Sequence, residues 1–197
     1  MEFLIAFDKG LSFALDQQIV PRFGPLGLNA AMMFFTHLGD QIVLRIAVVV
    51  CVCLFAASRQ FLPAALVIIA FFAGHLLSNN VKLFVQRERP IPVHVFSERP
   101  KSPSFPSGHA LESTAIYVTV ALLAVRHGVR SRLRWLLVVV SLLLVFLIGF
   151  SRVYLGYHYA TDVIGGWAGG LAIALTCVWM DECFQPSASR KEQLQQQ

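Results

Sequence analysis

Three polar clusters interrupt an otherwise apolar chain, and each is made of side chains that can handle phosphate. The first holds Lys82 and Arg89, seven residues apart and followed by Pro90. On a helix that separation is two turns, so both cations share a face and suit an anion. Alone, the pair reads equally well as interfacial cations with their stems along apolar surface. The second cluster is Ser104-Phe-Pro106-Ser107-Gly108-His109, ahead of an apolar run. Ser107 is a natural helix N-cap, Gly108 removes the side chain that would block approach to the backbone, and the free N–H groups of a helix start can bind an anion beside His109. An ordinary capped helix with an incidental histidine would look the same in isolation. The third cluster runs from Ser151 and Arg152 to His158 and Asp162. His158 and Asp162 are four apart, so on one helix the carboxylate can take a hydrogen bond from one ring nitrogen and leave the other nucleophilic. Arg152 adds a bidentate phosphate donor, and an aspartate in a membrane helix is costly unless paired.

Together the clusters describe phosphoryl transfer. Three cations and a helix N-terminus would stabilise the equatorial oxygens, one histidine can attack phosphorus, and the other can protonate the leaving oxygen. This set requires no metal. A dinuclear metal site would want several carboxylates, whereas only Glu112 and Asp162 lie in or beside the outer halves of the apolar stretches.

The elements that must position these groups are membrane helices. Of 197 residues, 56% are hydrophobic and 14% charged, with mean hydropathy +0.65; soluble domains carry about 45–50% apolar and about 25% charged residues. The pattern predicts an all-α integral membrane protein with about five transmembrane helices, over 41–57, 61–82, 108–125, 134–150 and 158–180. An N-terminal amphipathic helix precedes them, because Glu2, Asp8, Lys9 and Asp16 leave no uninterrupted apolar core there. One domain, 1–197, is expected, with 1–40 an interfacial segment and 183–197 a disordered tail. The net charge of +5 does not mark a nucleic-acid partner. Its only dense run, Arg126, Arg130, Arg132 and Arg134, lies between two apolar stretches and resembles a cytoplasmic loop. With Arg59 and the Arg190 and Lys191 tail on the same side, the three clusters fall at the non-cytoplasmic face. Cys51, Cys53, Cys177 and Cys183 read as small buried hydrophobes.

In this order, Lys-x6-Arg-Pro, Pro-Ser-Gly-His and Ser-Arg-x5-His-x3-Asp resemble the three-part signature of the type 2 phosphatidic acid phosphatase (PAP2) superfamily. The motifs cover residues 82–162, and the five-span layout extends the likeness over nearly the whole chain. The resemblance implies that His158 is the nucleophile that forms a phosphohistidine, that Asp162 orients it, and that His109 protonates the leaving group and later activates water. It assigns Lys82, Arg89, Arg152, Ser107 and the Gly108 backbone to phosphate binding, with no cofactor. It further implies a lipid phosphatase of a bacterial inner membrane, its active site facing the periplasm or exterior and its lipid tail entering from the bilayer. Undecaprenyl diphosphate is the favoured substrate, with phosphatidylglycerol phosphate, phosphatidic acid and lipid A phosphates as alternatives. Outside the enzymes, a transporter or a membrane scaffold is the competing class; clustering of charge at one face and the lack of an inverted repeat speak against a transporter.

Some features fall outside the signature. Glu112, one turn beyond His109, needs a partner and is expected against His109, His75 or a site cation. His75, Asn79, Lys82 and Gln86 form a polar stripe expected to face the bundle interior. Gly165, Gly166, Gly169 and Gly170 predict close helix packing, within the bundle or in a homo-oligomer. Tyr154, Tyr157, Tyr159 and Trp167 read as a membrane-interface belt.

Overall fold

The computed structural model describes residues 2–23, 27–91, 100–128 and 131–185. Every regular element among them is helical: α1 (Glu2–Ala14), which continues through a π-helical turn (Leu15–Ile19) into α2 (Val20–Phe23), then α3 (Leu28–His37), α4 (Gln41–Ala57), α5 (Phe61–Val85), α6 (Gly108–Arg126), α7 (Ser131–Tyr154) and α8 (Ala160–Phe184). Four helices, α5, α6, α7 from Leu133 and α8, are long and apolar enough to cross a bilayer. The 17 residues of α4 reach spanning length only together with α3, from which α4 bends by 53°. The five expected spans therefore stand as four and a broken pair. At 25 residues, α5 and α8 are each about 37 Å long, enough for a hydrocarbon core of about 30 Å. Arg130 and the tail from 186 onward, with Arg190 and Lys191, lie outside the described residues; the expected tail begins too early, since α8 continues to Phe184.

The outside of the bundle is apolar, with Phe84, Trp135, Ile42 and Phe184 at 70–91% exposure. This is the pattern of a protein solvated by lipid. The middle belongs to α6, which packs against α5, α7 and α8. Because α6 meets protein rather than lipid, it tolerates the buried Ser113, Thr114 and Thr119. Their hydroxyls are satisfied by backbone carbonyls of their own helix, Ala110 for the first two and Ala115 for the third.

The α6–α8 contact depends on missing side chains. A Cβ on Gly166 would lie 2.8 Å from the Ser107 carbonyl oxygen, and one on Gly170 would lie 2.5 Å from that of Leu111. Gly165 faces Phe105 and Gly169 faces Leu111, so all four glycines serve packing inside the bundle. At the far end, the fully buried Asp181 of α8 accepts hydrogen bonds from Arg126 Nε at 2.8 Å and His127 Nε2 at 2.9 Å. Part of the basic loop thus staples α6 to α8.

The aromatic belt reading is corrected. Tyr154 and Tyr157 are buried, the Tyr154 hydroxyl donating to Asn29 at 2.7 Å. Trp167 packs on Gly149 and donates Nε1–H to the Val145 carbonyl at 3.1 Å. Among the cysteines, which are all free, only Cys177 is fully buried, while Cys53 and Cys183 are exposed on the apolar surface.

Gly170→Val should lower the thermal unfolding midpoint in detergent, at a cost of about 1–3 kcal/mol from overpacking. Gly10→Ala, where a Cβ meets nothing within 4 Å, should be neutral or slightly stabilising. Equal midpoints for both variants would refute the close α6–α8 contact.

Candidate active site

The three clusters meet at one end of the bundle, where α5 and α7 finish and α4, α6 and α8 begin. A cavity of about 180 Å³ there is lined by Lys82, Arg89, Gly108, His109, Arg152 and His158, with Gln41, Asn79 and Glu112 among the remaining lining residues. Lys82 sits in the last turn of α5 and donates to Ser78 Oγ at 3.2 Å. Arg89 is not on its helix: α5 stops at Gln86, whose backbone is left-handed (φ 48°), and Pro90 disfavours a helical Arg89. The seven-residue spacing reaches the site through an extended segment instead. Arg89 is held by the Ser102 carbonyl (Nε, 2.8 Å), Ser102 Oγ (3.1 Å) and the Tyr157 carbonyl (2.8 Å), and its Nη1 lies 3.1 Å from His158 Nε2.

Ser107 caps α6, its Oγ accepting from the Ala110 N–H at 3.5 Å, and its own N–H donates to the Asp162 carbonyl at 2.9 Å. It is fully buried and shapes the start of α6 without lining the cavity. A Cβ on Gly108 would sit 3.0 Å from Lys82 Nζ, so glycine lets the ammonium approach the start of α6. Arg152, in the last turn of α7, is 6% exposed. It donates to Thr36 Oγ1 at 2.6 Å and stacks 4.1 Å from the Tyr157 ring centre. Its carbonyl accepts from the N–H groups of Tyr157 (3.0 Å) and His158 (3.2 Å), closing a turn made possible by Gly156 at φ 71°.

That turn places His158 ahead of α8, not on it, which corrects the helical i, i+4 expectation. The pair still meets: His158 Nδ1 lies 3.5 Å from Asp162 Oδ2. Asp162 sits in the first turn of α8, where its other duties are to accept from the Tyr159 N–H at 2.9 Å and to cap the helix. Complete burial pushes the His158 imidazole well below its ordinary pKa, and Arg152 and Arg89 push in the same direction. The ring is therefore neutral at pH 7, with Nδ1 toward Asp162 and Nε2 toward the cations.

Glu112 lines the cavity floor but does not contact His109; it pairs with His75 Nδ1 at 3.4 Å and accepts from Gln41 Nε2 at 3.1 Å. His75 also meets Asn79 at 3.0 Å. The polar stripe faces inward only in part, since Asn79 and Gln86 are exposed. His109 instead places Nε2 2.9 Å from Asp40 Oδ1.

The PAP2 superfamily model matches residues 62–184, well over half of the chain. This chain belongs to the PAP2 superfamily. Phosphatidylglycerophosphatase B of Bacillus subtilis is 31% identical over 156 residues, covering 79% of this chain and 76% of that protein. Undecaprenyl-diphosphatase of Sulfolobus acidocaldarius is 29% identical over 183 residues, covering 90% and 83% respectively. The crystal structure of a transmembrane PAP2-type phosphatidylglycerolphosphate phosphatase from Bacillus subtilis aligns with a TM-score of 0.73 at 27% identity, over 93% of this chain and 96% of that one. This PAP2 protein is an integral membrane phosphoric ester hydrolase of a lipid phosphatase family.

Around the PAP2 signature stand residues that motif spacing does not expose. Arg87, inside the first motif, donates through Nη1 to Asp162 Oδ1 at 2.6 Å and through Nη2 to Asp8 Oδ2 at 2.7 Å. Its guanidinium lies 4.4 Å from the Tyr159 ring centre. Asp8, on α1, is 1% exposed and also accepts from the Thr161 N–H at 3.1 Å and from the Thr161 hydroxyl. The N-terminal amphipathic helix thus reaches the carboxylate beside His158 through one arginine. The only hint in the sequence is an acidic residue among apolar neighbours.

Asp8→Asn leaves Arg87 facing a neutral amide at a buried site, a change expected to cost about 3 kcal/mol. Thermal unfolding should show the loss, and kcat should fall with it as Arg87, deprived of its second anchor, holds Asp162 less firmly. Full stability with wild-type kcat would exclude this link.

Proposed function

We propose that this PAP2 enzyme hydrolyses a lipid phosphate or diphosphate through a phosphohistidine on His158, with undecaprenyl diphosphate as substrate and undecaprenyl phosphate as lipid product. One observation carries the phosphate chemistry: Nε of Arg152 is buried without a hydrogen-bond partner among the described residues, on a side chain that lines the same cavity as two further cations and two histidines. A buried guanidinium with an unused donor is matched by an oxyanion.

In the first half-reaction His158 Nε2 attacks phosphorus, the bond to the leaving oxygen breaks with its electron pair, and His109 gives that oxygen a proton. In the second, water attacks phosphorus, its proton passes to His109, and the P–N bond breaks back onto His158. Asp162 holds Nδ1 of the nucleophile. Nδ1 is buried and lies 3.5 Å from Asp162 Oδ2. Lys82, Arg89, Arg152, the Gly108 backbone and the Ser107-capped start of α6 hold the phosphoryl oxygens, with charge that needs no metal to supplement it. Glu112, with His75 and Gln41 behind it, limits the positive charge of the cavity floor.

A second cleft shares Arg89, Pro100 and Ser102 with the cavity and adds Arg87, Glu88 and Lys101, of which Lys101 offers a cation to a second phosphoryl group and favours a diphosphate. A phosphatidylglycerol phosphate substrate is the other reading, favoured by the names of the Bacillus subtilis relative and solved structure. Arg59, Arg126 and Arg134 lie at the end of the bundle away from the cavity, which supports a cytoplasmic position for them and a periplasmic or exterior one for the site. The whole chain, 1–197, acts as one domain in the plasma membrane.

Purified protein in detergent should release phosphate from undecaprenyl diphosphate, with kcat/KM above that for phosphatidylglycerol phosphate; the reverse preference would select the second reading. Release should survive EDTA and vanish in His158→Ala. Rapid quenching should trap an acid-labile phosphoenzyme that is lost in His158→Ala and retained in His109→Gln; the opposite pattern would exchange the two roles. Because burial keeps His158 neutral, the acid limb of kcat/KM that reports it should fall below the ordinary imidazole value of about 6.5.

A further inference from the structure

We infer that Asp40, a residue outside all three signature motifs, is the positioning carboxylate of the acid–base histidine, and that it commits His109 Nε2–H to itself so that Nδ1 handles the substrate proton. The inference rests on the proposed role of His109. Asp40 stands between α3 and α4, at the bend of the broken pair, and its two oxygens serve two imidazoles. Oδ1 lies 2.9 Å from His109 Nε2, and Oδ2 lies 2.7 Å from Nδ1 of His37, whose side chain is 61% exposed. His37 therefore braces the carboxylate from the surface while His109 uses it from the cavity.

The backbone is built for this approach. A Cβ on Gly39 would sit 2.7 Å from Ile148 Cγ2 and 3.0 Å from His109 Cδ2, so only a residue without one brings Asp40 this near. The peptide is tied down by the Gly39 N–H donating to the Thr36 carbonyl at 3.0 Å, and the Asp40 N–H to that of His37 at 3.0 Å. Thr36 in turn is the residue that anchors Arg152. One short bend thereby orients both a phosphate-binding cation and the acid–base group.

The chemistry follows from the tautomer. With Nε2–H donated to a carboxylate, the neutral ring carries its lone pair on Nδ1, and the protonated ring offers Nδ1–H to the leaving oxygen. Asp40 keeps its charge throughout, stabilising the imidazolium before the first half-reaction and again as water gives up its proton. Such help matters most when the leaving oxygen is a poor one.

The test compares leaving groups. Since kcat/KM reports the steps up to departure of the leaving group, Asp40→Asn should lower it by about 100-fold for octyl phosphate and by about 10-fold or less for 4-nitrophenyl phosphate, whose leaving group needs little protonation. Equal losses on both substrates would overturn the role, as would no loss on either. The wild-type protein supplies a second measurement that does not depend on how the variant folds. The ¹⁵N imidazole shifts of His109, assigned by their absence in His109→Gln, should report Nε2 protonated and Nδ1 bare at neutral pH; a proton on Nδ1 would overturn the assignment. A His109→Gln loss that is equal on the two substrates would instead count against His109 as the acid.

Discussion

Positive charge gathered beside a low-dielectric bilayer is the constraint on which the rest of this structure depends. Lys82, Arg89 and Arg152 line one small cavity, and each repels the others in a place where water screens poorly. Neutral groups hold two of them in place: a serine hydroxyl for Lys82, and a threonine hydroxyl and a tyrosine face for Arg152. Such contacts aim a cation without cancelling its charge. Arg87 shows the contrast, since it stands behind the cavity and is paired with two buried carboxylates. It ties parts together, whereas the contacts of Lys82 and Arg152 are with neutral groups.

Holding those cations requires a rigid frame, and α6 supplies its centre. Buried on nearly every side, it can afford a capped, polar first turn with Gly108 and His109 at the mouth of the cavity. The glycines of α8 bring the two helices close enough for the Ser107 N–H to reach the Asp162 carbonyl, so the capped start of one helix is tied directly to the first turn of the other. At the opposite end Asp181 fastens the same two helices with Arg126 and His127. Two rigid helix starts then converge on one site.

The two histidines are each supplied with a carboxylate, and in each case it comes from a helix start. Asp162 belongs to α8 and approaches Nδ1 of His158; Asp40 begins α4 and approaches Nε2 of His109. The proposed nucleophile and the proposed acid are thus presented through opposite ring nitrogens. The bend between α3 and α4, which breaks a membrane span, has a corresponding use.

The membrane class, the all-helical architecture and the convergence of Lys82, Arg89, Arg152, His109 and His158 on one end of the bundle were legible in the sequence, because hydropathy, caps and motif spacing are local properties. Ser107 as a cap and Gly108 as a point of close approach followed from residue type alone. Helical periodicity misplaced Arg89 and His158, since a left-handed Gln86 and the glycine turn at Gly156 end or delay helices that composition would have continued. Aromatic residue type set Tyr154 and Tyr157 at an interface when they are buried supports. What only the tertiary structure decided is pairing across long separations: Asp8 with Arg87, Thr36 with Arg152, Asp40 with His109, Gln41 and His75 with Glu112. A single acidic or hydroxyl residue in an apolar segment carries no local mark of its partner, because the cost of burying it is relieved by whichever helix folds against it.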